Sequence, residues 1–212
     1  MNTIPAMRSF VSLVLAGALA LGGPQGKGEE AAAKALTASY QLQAIADYGG
    51  AIQLMRPLVD ASPKAYFLRL RLAYLFLQKG EYQNSADSYR AAAQLEPAAV
   101  EPLLGQQQAL MALERYDDAE KVGRELLQRD PRNYLGLSRQ AWIQFKRESY
   151  AASADLYQQV LALYPGDVEM LSGLGYAQVW LGKKSTAEAT FRKVLANVPG
   201  HLSATTGLTY CK

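Results

Sequence analysis

The sequence predicts an all-α fold, a solenoid of helix-turn-helix units closed by a final capping helix, and three observations predict it. Pro63, Pro97, Pro131, Pro165 and Pro199 stand 34 residues apart. Fifteen residues before each proline comes Tyr48, Tyr82, Tyr116, Tyr150 or Lys184, and twelve before each comes a small residue, Ala51, Ser85, Ala119, Ser153 or Ala187. Three registers in phase over five periods mark a true repeat, and a fixed period of about 20 to 50 residues is the signature of stacked supersecondary units.

The composition agrees with a packed fold. Half of the 212 residues are hydrophobic and 19% are charged, a balance that argues against disorder. Net charge is +3, and Arg8 is the only charged residue in the first twenty, so the remainder carries +2. That bias is too small to point to nucleic acid. Cys211 is the only cysteine, which excludes an internal disulfide and leaves packing to hold the chain.

The N-terminus reads as an export signal over residues 1–20. Arg8 precedes an apolar run from Phe10 to Leu21, and Ala18-Leu19-Ala20 has the small-x-small form of a signal peptidase site. Twelve apolar residues as a helix reach about 18 Å, short of the roughly 30 Å hydrocarbon core. An uncleaved anchor is the alternative to cleavage. The expected location is therefore periplasmic or secreted. Residues 21–29 include Gly22 to Gly28, GGPQGKG, too glycine-rich to stay helical and too polar to bury, and they read as a flexible linker. A phosphate-cradling loop would need a glycine in place of Leu21 and a Ser or Thr in place of Gly28.

The solenoid spans 30–212, with repeats at about 32–65, 66–99, 100–133, 134–167 and 168–201 and the capping helix at 202–212. EEAAAKAL, with its acids leading and strong helix formers following, opens a first helix over Glu30–Ile45. Asp47-Tyr48-Gly49-Gly50 turns the chain, and the second helix runs to Ala61 with a kink expected at Pro57. Unit two has helix A over Tyr66–Lys79 and helix B over Tyr82–Leu95, with Gly80 suited to the left-handed C-cap. Each repeat proline closes a helix B, since its preceding residue is pushed out of the helical region. The third unit starts at Val100, the fourth at Tyr134 and the fifth at Val168, where Gly182 falls in the turn. Crowding explains the registers: small residues let helix B approach helix A, and Met55, Tyr89, Tyr157 and Phe191, four positions on, fill the space between units.

These small residues, together with Tyr89, Tyr157 and Phe191, Leu72-Ala73, Leu174-Gly175 and the five prolines, resemble the tetratricopeptide repeat family, in its exported bacterial form, over about Glu30 to Lys212. Gln106-Gln107 and Gln140 depart from a family preference for Leu then Gly or Ala, and Gly123 departs from a preference for an aromatic. The resemblance implies a right-handed α-solenoid of five hairpins plus the capping helix, with helix A lining a concave groove. The Lys and Asn positions that clamp chaperone peptide termini in such repeats fall here on Leu70, Tyr74 and Gln108, so that clamp is missing.

No catalytic, metal or cofactor site is expected. His201 is the only histidine and lies in a junction, Asp117-Asp118 and Glu29-Glu30 sit where acids cap helices, and no cluster would complete a zinc site. Binding has better support. One helix A position recurs as Tyr40, Tyr74, Gln108, Trp142, Tyr176 and Tyr210, with Gln43, Leu77, Met111, Phe145 and Val179 three residues on, and Lys146 and Trp180 four on. Arg71, Arg139 and Lys146 are expected to add positive charge at the groove. The tyrosines suit either half-buried packing with only the hydroxyl in water or a stepped aromatic surface for an extended ligand. The reading is a non-catalytic protein-protein interaction scaffold of the cell envelope that binds a protein or peptide in its groove, without nucleic acid and touching membrane only through an envelope partner. The alternative is a glycan-binding module, similar to the periplasmic portions of exopolysaccharide secretion systems for cellulose or alginate.

Overall fold

The structure, a computed structural model, describes residues 25–212, so the signal segment expected at 1–20 lies outside the described residues. Among the described residues there are eleven helices and no strand. They are α1 Gln25–Ala44, α2 Tyr48–Ala61, α3 Tyr66–Lys79, α4 Tyr82–Leu95, α5 Glu101–Ala112, α6 Tyr116–Arg129, α7 Tyr134–Lys146, α8 Tyr150–Leu163, α9 Val168–Trp180, α10 Lys184–Asn197 and α11 Leu202–Thr209. The fold class read from the sequence is the one found. Every second helix of a hairpin begins on the Tyr48, Tyr82, Tyr116, Tyr150, Lys184 register.

α2 runs to Ala61 as one helix with Pro57 inside it, on its exposed side, the extent expected from the sequence. Two details differ. The first helix starts at Gln25, inside the segment expected to be a flexible linker up to residue 29. Each helical glycine costs about 1 kcal/mol against alanine, but extension from an alanine-rich stretch adds one bond per residue without a new nucleus. The last helix ends at Thr209, leaving Tyr210 as its C-cap.

The hairpin turns share one conformation. Ala46, Gly80, Glu114, Glu148 and Gly182, each 34 residues on from the last, all have positive φ, between 57° and 83°. Glycine enters that region freely, whereas Ala46, Glu114 and Glu148 are held there by the helices on either side. His201 caps α11: its Nδ1 accepts from the Ala204 amide at 3.3 Å, which puts the ring proton on Nε2, 3.3 Å from Glu169 Oε1. Asp167 and Asn133, one and two repeats earlier, accept from the first-turn amides of α9 and α7.

The chain divides into two compact units, Met1–Leu113 and Glu114–Lys212, so the third repeat gives one helix to each. In the first unit, Leu36, Ile52, Met55, Leu72 and Phe76 form the core. In the second, Tyr157 packs with Ala141, Leu174 and Ala177, and Phe191 with Leu171, Val194 and Ala204. The small residues Ala51, Ser85, Ala119, Ser153 and Ala187 are all 0% exposed. Ser85 and Ser153 also donate to the Ala73 and Ala141 carbonyls at 2.9 and 2.8 Å, tying helix B to the helix A before it. Of the glutamines that depart from the family pattern, Gln107 and Gln140 are buried and Gln106 is half-buried, and Gln140 Nε2 donates to the Glu120 carbonyl of α6 at 3.0 Å.

Candidate functional site

In the first unit the structure brings two of the expected aromatics together over a cation. Tyr40 of α1 and Tyr74 of α3 flank Arg71, whose guanidinium lies 3.8 Å from the Tyr40 ring centroid and 5.9 Å from that of Tyr74. An open pocket of about 390 Å³ is lined by these three residues, by Gln43, Phe67, Leu70 and Tyr89, and by Glu101 of α5. Its size falls at the small end of ligand pockets, which run from about 300 to 1,000 Å³. Tyr40 and Tyr74 are half-buried. Gln108, the third member of the row, stands exposed on α5.

Arg71, expected to add positive charge at the groove, lines this pocket from a buried position. It is only 6% exposed. Its Nη2 donates to the Ser39 carbonyl at 3.1 Å and to Ser39 Oγ at 3.3 Å, and its Nη1 donates to Gln43 Oε1. The buried Nε has no hydrogen-bond partner. Burial pulls the guanidinium below its ordinary value while Tyr40 and Tyr74 oppose that shift. It stays charged at neutral pH all the same.

The place of Arg71 in the repeat explains its depth. Sixteen residues separate Tyr89 from Gly105, Tyr157 from Gly173 and Phe191 from Gly207, and a Cβ on these glycines would stand 2.2 to 2.4 Å from the facing ring. Large side chain on one helix and none on the next is the rule. In the same register the chain has Met55 followed by Arg71, and Gly123 followed by Arg139. Where the helix B residue is slimmer than an aromatic, the next helix A carries a long side chain. This covariation in size was present in the sequence and is the signal that marks Arg71 as an inward residue.

The second unit handles its part of the row differently. Tyr176 donates its hydroxyl to the Ser203 carbonyl at 2.8 Å, and its ring meets those of Phe191 and Tyr210 edge-on at 5.2 and 6.3 Å. Tyr176 therefore packs α9 against α11, and Tyr210 is left exposed beside it. Trp142, 37% exposed, meets Tyr116 edge-on at 5.5 Å and carries Lys146 Nζ 5.6 Å from its ring centroid. Arg139 is half-buried. Trp180, 56% exposed, stacks on Tyr150 at 5.8 Å, and Phe145 meets the other part of Tyr150 edge-on at 5.4 Å. Tyr116 and Tyr150 belong to the register fifteen residues before each repeat proline, and the fold sets both against tryptophans.

Among the described residues no group of three or more His, Cys, Asp or Glu could hold a metal ion, and no helix is long and apolar enough to cross a membrane.

A tetratricopeptide repeat family profile matches residues 36–100, 104–168 and 138–202, and the chain belongs to that family, whose fold generally serves as a non-catalytic scaffold for protein-protein interaction. Among curated proteins the chain is similar to the Protein CTR9 homolog of Arabidopsis thaliana, 27% identical over 145 residues, 64% of this chain. It spans only 13% of that relative's length. Among solved structures it is similar to a tetratricopeptide repeat protein from Parabacteroides merdae, with a TM-score of 0.79 at 16% identity, covering 86% of this chain and 72% of the other. It is also similar to the MamA protein, TM-score 0.74 at 15% identity over 79% and 91% of the two chains. YrrB, described as a TPR protein with an unusual peptide-binding site, gives 0.72 at 11% identity over 82% and 90%. At these identities the structures speak to the fold alone.

Proposed function

We propose that this chain is a non-catalytic scaffold, exported to the bacterial periplasm or secreted, that holds an extended segment of a cell-envelope protein against its helix A residues. The observation that carries the reading is the Tyr40–Arg71–Tyr74 pocket, which combines aromatic walls, apolar edges and a few convergent polar groups. The likeness to YrrB, itself described by its peptide-binding site, supports a peptide as occupant. Export rests on Arg8, the Phe10 to Leu21 run and Ala18-Leu19-Ala20. Two measurements test it. An array of overlapping peptides from envelope proteins is expected to yield a binding segment whose capture is lost with Tyr74→Ala, and cell fractionation is expected to find a mature chain that begins after Ala20. Failure of every peptide to bind would remove the scaffold reading; a cytoplasmic, unprocessed chain would remove the export.

A glycan is the second reading, and the exposed Trp142 and Trp180, each set against a half-buried tyrosine, favour it, since flat aromatic faces suit sugar rings. Titration with cellulose and alginate oligosaccharides, followed by Trp142 and Trp180 fluorescence, decides it. An unchanged spectrum with both series retires the glycan.

A further inference from the structure

Arg71 is a buried cation without an anion. Among the described residues it forms no ion pair, and the groups around it are neutral: the Ser39 hydroxyl and carbonyl, the Gln43 amide oxygen and two phenol rings. Buried arginines are ordinarily paired, because an uncompensated charge away from water is costly. Here one donor, Nε–H, is left over entirely. The one acid of the pocket, Glu101, is exposed.

We propose that the pocket takes the carboxylate of an acidic side chain, a glutamate or aspartate inside the extended segment of a protein partner, and that Arg71 is its receptor. The inference rests on the peptide-binding reading above and specifies its ligand. Gln43 is the movable group. Its amide oxygen occupies one guanidinium nitrogen as a neutral acceptor, and a carboxylate in that place makes a charge-assisted bond about twice as strong. The apolar edges Phe67 and Leu70 suit the methylene stem that carries such a group. Glu101 repels a run of acids, so a single acid among apolar residues fits better than an acidic tract.

The test uses the full chain and three synthetic peptides: acetyl-Ser-Leu-Glu-Leu-Ser-amide, the same peptide with Gln for Glu, and the Gln peptide with a free C-terminal carboxylate. Affinity is read by calorimetry, and the Arg71 Nε–H resonance by nitrogen-15 NMR. The glutamate peptide is expected to bind about tenfold tighter than its Gln counterpart, a difference of about 1.4 kcal/mol, and to shift the Nε–H resonance. Arg71→Met and Gln43→Glu, the second of which supplies a carboxylate from within, are each expected to bring the two affinities within about twofold. Equal affinities in the unmodified chain overturn the inference and leave peptide binding standing, and that comparison needs no variant to fold. The same tenfold gap in a helical Arg71→Met chain overturns it as well. Tighter binding of the free-terminus peptide would make the chain end the source of the carboxylate and overturn the side-chain assignment. If none of the peptides binds, the inference falls, and an array that also yields nothing takes the peptide reading with it.

Discussion

In the second unit, between α8 and α9 and between α10 and α11, Tyr157 and Phe191 press against Gly173 and Gly207, sixteen residues on, while the same unit also holds Gly123 followed by a half-buried Arg139. In the first unit the same register holds Met55 and Arg71 before it returns to Tyr89 and Gly105. One exchange of a ring for a thioether, and of a glycine for an arginine, separates a hairpin stack that is sealed from one that carries a charged pocket. The two regions teach that a repeat fixes where helices lie, while the sizes at one facing pair of positions decide whether the seam between them is core or binding site.

The sharpest way to break the comparison is to move the arginine. Gly173→Arg places a Cβ about 2.4 Å from the Tyr157 ring, closer than real contacts allow. Overpacking of this kind costs about 3 kcal/mol or more. Adding Tyr157→Met, which copies the Met55–Arg71 pair, is expected to return at least about 1 kcal/mol as coupling in a double-mutant cycle by urea unfolding. Additive losses would reject size matching as the rule.

Alkaline titration gives the next effect. Burial pushes Tyr157 from 10 up to about 12. The neutral phenol is favoured in the fold, so the stability it contributes is fully present below pH 10 and is lost as pH rises through 12. At 1.36 kcal/mol per unit the loss amounts to about 3 kcal/mol. Tyr157→Phe is expected to reduce the loss between those two pH values, as read by circular dichroism, leaving the part that Tyr134 and Tyr66, also pushed up, contribute; an identical alkaline loss in that variant would assign it elsewhere.

Ala119→Leu probes close approach in the second unit, where Ala119 is fully buried at the small-residue register. The larger side chain is expected to cost about 1 to 3 kcal/mol. An unchanged thermal midpoint would count against its placement. The smallest effects belong to the turns. Glu148→Gly and Ala46→Gly relieve left-handed backbone at φ near 60° in one unit each, and each is expected to gain about 0.5 to 1 kcal/mol. Gly80→Ala, the reverse change at the same position of the next repeat, is expected to lose a similar amount.

The helices were legible residue by residue. The proline, tyrosine and small-residue registers fell on helix ends, helix starts and fully buried positions because each answers to short-range geometry: a fixed φ, a turn, the gap between two helices of one hairpin. The candidate site was legible only in part. Tyr40 and Tyr74 belong to the row of six that recurs on helix A in the sequence, and they line the pocket. The sequence places Arg71 as a positive charge at the groove, and only the coordinates show it buried over Tyr40 with Ser39 and Gln43 around it. For Tyr176 the sequence allows either half-buried packing or an open aromatic groove, and its bond to the Ser203 carbonyl ties it into packing. The glycine-rich start of α1 was read as a tether, since its composition says nothing of the alanine-rich helix that extends into it.

By itself the sequence determined the period, the alternation of helices and turns, the family, and the small residues that hairpins need, since all of these depend on neighbours within a few tens of residues. Only the tertiary structure decided which side chains of a shared helix face turn inward. That choice depends on the volume offered by the facing helix one half-repeat away, so Arg71 lies buried with a free Nε–H while Trp142 and Trp180 remain in water.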